Sequence, residues 1–129
     1  MMKRIFAAAS ILLACAGQAS ATASIGCAAA DDRASFDLTI GNVPVLAVVG
    51  AEIDAAGETW SLAGNERSIR VGQAFETPGE MRIDFTDANV EAVVAEIRLF
   101  KAAEGDDAAM AGTLKIAGKG AWAVTCVGP

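Results

Sequence analysis

Residues 35–40, Ser-Phe-Asp-Leu-Thr-Ile, carry the pattern that decides the fold class. Phe36, Leu38 and Ile40 alternate with polar residues, and this period of two places the apolar side chains on one face of a β-strand. The Gly-Asn pair at positions 41–42 supplies turn residues that end the strand. The segment therefore predicts a half-buried strand that packs one face against a core.

Similar short segments follow toward the C-terminus, separated by turn residues. Predicted strands cover residues 45–53, 59–62, 68–71, 81–85, a segment ending at 101, 112–116 and 121–127. Short strands at a spacing of about ten residues are typical of all-β proteins. We predict an all-β fold, a small antiparallel barrel or sandwich of about seven to eight short strands.

Residues 87–100 fit two patterns. Val90 and Ile97 belong to a set with helical spacing, and Asp87 has the side chain of a helix N-cap. However, the second half of the segment also alternates between apolar and charged residues, and β-branched residues crowd its middle. We predict one short helical turn near Asp87, followed by a strand that runs through Lys101.

The first residues follow the order of a secretory signal. Lys3 and Arg4 precede an apolar stretch at 5–17, and Ala19-Ser20-Ala21 supplies the small residues that signal peptidase accepts. This predicts a signal peptide over 1–21 and a periplasmic or secreted protein. The apolar stretch is shorter than the roughly 20 residues that cross a bilayer, so we predict no transmembrane span.

A second reading of the same region leads to a lipid anchor. Leu12-Leu13-Ala14-Cys15 resembles the bacterial lipobox, in which a lipid is attached to the cysteine and the chain is cut before it. The signal would then cover residues 1–14, and the Ala-, Ser- and Gly-rich stretch 16–26 would form a flexible tether. Soluble export and lipidation at Cys15 both remain open from the sequence.

Two cysteines remain after the signal. Removal of 1–21 leaves 108 of the 129 residues, divided into an N-terminal segment over 22–34 that carries Cys27 and a single β domain over 35–129. Cys27 and Cys126 most often pair in an oxidising compartment. The chain-entropy model gives such a long loop about 4–5 kcal/mol of stabilisation. We predict a disulfide that brings the two ends of the domain together.

The chain is acidic. Its net charge is −6, and it becomes −8 once the two basic residues of the signal are removed, because residues 1–21 contain no acid. A negative surface repels phosphate backbones and anionic headgroups, which argues against nucleic-acid binding. Basic proteins or cations are the favoured partners, although surplus acid also keeps an exported protein soluble.

The residue types exclude most catalytic mechanisms. The chain has no histidine and no tyrosine, which removes Ser-His and Cys-His relays and the commonest zinc ligand. A calcium loop starting at Asp87 fails because Ala92 and Arg98 occupy its glycine and glutamate positions. Gly118-Lys119 lacks phosphate-loop spacing. We predict no enzyme activity, no metal and no cofactor; a carboxylate-dependent hydrolase is the least favoured alternative.

Three large aromatic side chains are candidates for partner contacts. Trp60 and Trp122 lie in predicted strands close to turns, and Phe75 precedes a Pro-Gly turn. Tryptophan is enriched in interface hot spots, but core packing explains the same positions. A strand edge beside Pro44 or Trp122 is a further candidate for pairing with a partner.

These observations support two functional hypotheses beside the hydrolase. The first is a non-enzymatic binding or inhibitor domain of the bacterial cell envelope, and the second is a structural or accessory envelope (lipo)protein. In general build, a small exported β domain with one disulfide, the chain is similar to the periplasmic lysozyme inhibitors, which implies a basic enzyme as partner. Their Ser-Gly-x-x-Tyr loop has no counterpart here, because the chain contains no tyrosine.

Overall fold

The computed structural model describes residues 22–41 and 43–129, so the predicted signal and the lipidation of Cys15 lie outside the described residues. The described chain forms nine strands: β1 (Ala23–Ala28), β2 (Ala34–Ile40), β3 (Val48–Ala55), β4 (Glu58–Leu62), β5 (Ser68–Thr77), β6 (Glu80–Asp87), β7 (Val93–Glu104), β8 (Asp107–Ile116) and β9 (Gly120–Val127). Over this part of the chain, no helix is long and apolar enough to cross a membrane.

The nine strands follow one another in chain order around a closed barrel. Eight neighbouring pairs are antiparallel, and only β4 and β5 are parallel. Each antiparallel pair reverses the strand direction from one strand to the next. A closed barrel must therefore contain an even number of antiparallel pairs. The single parallel pair therefore allows nine strands to close. Of the two predicted architectures, barrel and sandwich, the structure confirms the all-β barrel.

The strand count of seven to eight was too low, because the segment over 22–34 contains β1. This strand pairs with β2 on one side and with β9 on the other. Its alternation is weak in the sequence because small residues, alanine and glycine, occupy half of its six positions. β1 is nevertheless the strand that closes the barrel, so the N-terminal segment is part of the sheet.

The prediction of a helical turn near Asp87 is wrong. The Asp87 carboxylate accepts a hydrogen bond from the Glu91 amide (2.9 Å), and the Val90 amide donates to the Asp87 carbonyl (3.1 Å). Val90 has a φ of 59°, which a right-handed helix does not accept. Asp87 therefore caps a turn between β6 and β7, and β7 is the predicted strand, which continues past Lys101.

The barrel interior is a packed apolar core. Alternate residues of each strand point inward, as the pattern of β2 predicts. The largest fully buried side chains are Ile25, Phe36, Leu38, Ile53, Ile69, Ile83, Phe85, Ile97, Leu99, Leu114 and Ile116. Each contributes roughly 1.5–3 kcal/mol through removal of apolar surface from water. The interior is thus filled by side chains rather than open as a channel.

Two short seams join the sheet β1–β4 to the sheet β5–β9. The β1–β9 seam has three residue pairs, and the β4–β5 seam has two. In the first seam Cys27 lies opposite Cys126, and the two form a disulfide, as predicted. Such a bond is compatible with an oxidising compartment. The second seam has no covalent link, which makes it the weaker junction of the barrel.

The β3–β4 hairpin offers a test of turn strain. Ala56 and Gly57 form its two-residue loop with φ values of 52° and 75°, the pattern of a type I′ turn. Alanine is strained in this conformation, whereas asparagine adopts it readily. We expect Ala56→Asn to raise the free energy of unfolding by about 0.5–1 kcal/mol in urea titration. Gly57→Ala is the opposing control, and equal stability of both variants would contradict the interpretation.

Candidate functional site

Between β3 and β5 the sheet is incomplete, because β4 is shorter than both of these strands. β4 ends at Leu62, and β3 pairs with it only over residues 52–55. Residues 48–51 of β3 pair only with β2, and residues 70–77 of β5 pair only with β6, within the described chain. We call this gap the β3–β5 slot, bounded by residues 48–51 and 70–77, with Leu62 at its base.

At the base of the slot, β4 sets the separation of β3 and β5. Neighbouring strands lie about 4.8 Å apart, so β3 and β5 are about two strand spacings apart where β4 separates them. Immediately beyond Leu62 the chain continues the line of β4 for one residue, because the Ala63 amide donates to the Ile69 carbonyl (3.3 Å). The backbone N–H and C=O groups on both rims that face the slot have no strand partner in the described chain. Such edges are the groups that pair with another strand.

The slot is lined by apolar side chains and, on β5, by exposed polar ones that include Arg70. Val49 and Phe75 are 57% and 49% exposed, which is high for side chains of this size. On the inner side, Val48, Ala51 and Leu62 are partly buried and pack against the core. A strand placed in the slot would therefore meet apolar contacts toward the barrel interior and a phenylalanine at its rim.

Two carboxylates without a cation lie beside the base of the slot. Asp37 on β2 is directly opposite Glu52 on β3, and Glu52 is opposite Ser61 near the end of β4. Both acidic side chains are exposed on the outer face, and neither belongs to an ion pair among residues 22–41 and 43–129. Like charges directly opposite each other on a sheet are destabilising.

Six acidic residues elsewhere in the described chain have basic partners. Asp84 accepts a hydrogen bond from Arg98 (2.7 Å) on the outer face of β6 and β7. Glu58 forms ion pairs with Lys119 (3.1 Å) and Arg67 (3.4 Å). The hydrogen bond from Lys119, with the charges of both cations, holds the pKa of Glu58 below its ordinary value, so this carboxylate stays ionised. Asp37 and Glu52 have no such neutralisation, and Asp54 of β3 also has no ion-pair partner among the described residues.

The structure separates the three aromatic candidates. Trp60 is 7% exposed in β4, opposite Ile53, and belongs to the core. Trp122 is half-buried in β9, opposite the buried Leu114, so it faces the interior as well. Phe75 alone is exposed on the outer surface, at the rim of the slot. Core packing therefore accounts for both tryptophans.

Other concave surfaces lie at one barrel end and over β7–β9. A cavity of about 540 Å³ at one barrel end is lined by apolar side chains, including Met81 and Met110, and by the ion pair of Lys101 with Glu76. A shallow groove of about 900 Å³ runs over β7–β9 beside Phe100 and is lined mainly by alanines. In the first, the charges neutralise each other, and the second has few polar side chains.

No group of three or more cysteine, aspartate or glutamate side chains in the described part of the chain is arranged to hold a metal ion. Comparison with protein-family models, curated proteins and solved structures finds no significant match. The architecture itself therefore defines the class: a closed, disulfide-linked nine-stranded β-barrel in which β4 is shorter than both of its neighbours.

Proposed function

We propose that this protein is an exported, non-enzymatic binding domain of the bacterial cell envelope, periplasmic or secreted. It binds an extended segment of a partner protein in the β3–β5 slot. The observation that carries the proposal is that β4 ends at Leu62 and leaves unpaired backbone on both β3 and β5. A segment bound there would form backbone hydrogen bonds with both β3 and β5.

Strand addition explains why the edges are retained. Barrel closure normally removes free edges, and proteins that keep them protect them with bulges or charges. β5 has one bulge between Val71 and Gln73, but its following residues reach Thr77 in regular pairing with β6. In strand addition, main-chain hydrogen bonds provide affinity and side-chain contacts provide specificity. The regular part of β5 beside exposed Phe75 supplies both.

Two further observations support the other parts of the proposal. The signal-like residues 1–21 and the Cys27–Cys126 disulfide support export to an oxidising compartment. The absence of histidine and tyrosine from the sequence supports a non-enzymatic role. If the bound partner is a basic enzyme, such binding would inhibit it.

A structural or accessory envelope role is the second candidate, and the lipobox-like residues ending at Cys15 favour it. In that case the slot would hold a permanent strand from a larger assembly, and the protein would be membrane-attached. Labelled palmitate should then enter the wild type but not a Cys15→Ser variant. An unlabelled wild type would exclude the anchored form.

The position of the binding site can be tested with a matched pair of variants. A lysine on a strand edge opposes strand addition, so we expect Phe75→Lys to reduce capture of a partner from envelope extract by about tenfold or more. Phe100→Lys makes the same change at a 65% exposed site on β7 and should capture it as the wild type does. Circular dichroism and melting curves check that both variants are folded.

The reverse result would overturn the proposal. Loss of capture with Phe100→Lys and retention with Phe75→Lys would place the site on the β7–β9 face. A wild type that retains nothing beyond what a disulfide-reduced, unfolded sample retains would also contradict it. Co-purification of one basic enzyme with loss of its activity would support inhibition, whereas co-purification of an assembly would support the accessory role.

A further inference from the structure

We infer that the end of the barrel at which β1 begins is a second binding site, for a small, uncharged, aliphatic molecule. We call this site the barrel-mouth pocket. It is the cavity of about 540 Å³ that contains Met81, Met110 and the ion pair of Lys101 with Glu76. The inference concerns the interior of the barrel end and does not depend on strand addition in the β3–β5 slot.

The pocket opens at the end of the barrel. Its lining includes residues from seven of the nine strands, β1, β2 and β5–β9. Ile25 and Met81, which are 1% and 2% exposed, form its floor. On one side the β7–β8 hairpin continues to Glu104 and Asp107, beyond the last β6 partner at Phe100, and forms a wall. Small-molecule sites have volumes of about 300–1,000 Å³ and occur in the mouths of β-barrels.

Small inward-facing residues keep this end of the barrel hollow. Alternate β7 residues over 95–99 are buried, so the next inward positions are Lys101 and Ala103. On β8 the residues opposite them are Met110 and Ala108. The Ala103–Ala108 pair contributes only methyl groups, whereas the core below it is filled by isoleucine, leucine and phenylalanine. The space is therefore a consequence of the sequence of the hairpin.

The lining is aliphatic and adaptable. Met81 and Met110 are the two methionines that follow the predicted signal, and both lie in this pocket. Methionine side chains are flexible and polarisable, so they adapt to the shape of a bound molecule. None of the described residues that line the pocket is aromatic. Such a lining favours a flexible hydrocarbon chain over a flat ring.

One ion pair defines the polarity of the ligand. Lys101 and Glu76 lie opposite Met110 and Met81, on the inner face of β7 and β5, and they bond to each other across β6. Because their charges cancel, a charged head group would leave one charge without a counter-charge in a largely apolar site. A hydroxyl group can accept from the ammonium and donate to the carboxylate. The ligand class is thus a neutral, single-chain amphiphile such as a long-chain alcohol.

Methyl NMR of the two methionines tests the inference directly. The sample is the oxidised protein from Thr22 to Pro129 with isotope-labelled methionine methyl groups, so both signals report on the pocket. The probes are decanol, decanoate and decylammonium, which share one chain length and differ in charge. We expect decanol to shift both signals saturably and the charged probes to bind about tenfold more weakly. Tighter binding of a charged probe, or no saturable shift, would overturn the inference.

A variant that fills the pocket identifies the site. Ala108→Phe places a ring inside the pocket and should weaken decanol binding by about tenfold or more. Ala111→Phe is the matched control, because Ala111 is also exposed on β8 but lies opposite Phe100, outside the pocket. It should bind decanol as the wild type does. Melting curves check that both variants are folded, and equal binding by the two variants would contradict the inference.

A second pair of variants tests the role of the ion pair. Glu76→Gln leaves Lys101 without its counter-charge, so decanoate should bind at least about threefold more tightly than to the wild type. Glu80→Gln makes the same change of charge near the pocket, where Glu80 pairs with Arg82 (2.6 Å), and should leave decanoate binding unchanged. An equal gain in both variants would show a general charge effect and would refute selection of a neutral head group.

Other occupants of the pocket give distinct results. β1 begins at this barrel end, with Ala23 opposite Ile40, so a protein that begins at Ala16 is compared with the one that begins at Thr22. Equal decanol affinity supports an external ligand. Loss of decanol binding in the longer protein would assign the pocket to residues 16–21 and overturn the inference. Methionine signals that shift as the concentration of free protein rises would assign it to a second copy of the chain.

Discussion

Replacement of Cys27 and Cys126 together by alanine is expected to lower the free energy of unfolding by about 4–5 kcal/mol. The disulfide joins residues separated by 99 positions, so its loss frees almost the whole domain in the unfolded state. It also lies at the centre of a seam with only three residue pairs. Since small domains are stable by about 5–15 kcal/mol, the variant should retain a marginal fold.

Urea titration of the two proteins at one temperature measures this loss. Wild-type protein treated with a phosphine reductant is the matched control, because it loses the bond without any change of side chain. Its curve should shift as far as that of the alanine variant. A variant that stays within about 1 kcal/mol of the oxidised wild type would show that the β1–β9 hydrogen bonds close the barrel by themselves.

Local alternation explains why much of the sheet could be predicted. Phe36 and Leu38 in β2, and Ile83 and Phe85 in β6, are all buried as their period of two indicates. In such strands, the alternation of neighbouring residues identifies which side chains face the core. Asp87 was misread because an aspartate side chain accepts backbone hydrogen bonds in a turn as readily as at a helix start. The left-handed Val90 that selects the turn has no signature in the sequence.

The candidate site depends on relations that the sequence does not display. Asp37 and Glu52 are 15 positions apart, and only the β2–β3 register places them opposite each other. The slot itself arises because β4 has five residues between neighbours of eight and ten. Pro44, as an edge signal ahead of β3, and Phe75 were the only residues that indicated this side of the barrel. Lengths and partners of strands are set by tertiary packing, so alternation cannot reveal a missing strand.

The two seams also bear on where the barrel would accommodate the proposed partner strand. One is closed by the disulfide between β1 and β9, and the other has two residue pairs with backbone hydrogen bonds of 3.3 Å. Local opening takes place where few contacts must be lost. The β4–β5 seam is therefore the side at which the wall can adjust to an added strand while the opposite side stays fixed.

Gly112→Ala is expected to lower the free energy of unfolding by about 3 kcal/mol or more, because two backbones meet at this position. Gly112 in β8 lies opposite Leu99 of β7 and Val124 of β9, both buried. A Cβ atom added there would lie 1.8 Å from the carbonyl oxygen of Arg98 and 2.8 Å from its carbonyl carbon. Neither atom belongs to a flexible side chain, so β7 and β8 would have to separate.

Gly79→Ala is the matched control for this prediction. The atom nearest to a Cβ at Gly79 is the carbonyl oxygen of Lys101, 4.0 Å away, and the φ of Gly79 is not in the left-handed region. Alanine fits there and restricts the unfolded chain, so its stability should stay within about 1 kcal/mol of the wild type. Urea titration of the two variants compares a glycine that a neighbouring backbone approaches closely with a glycine that has space for a Cβ atom. Equal stability would show that β7 and β8 can move apart at little cost, and the close approach at Gly112 would then be no constraint on the barrel.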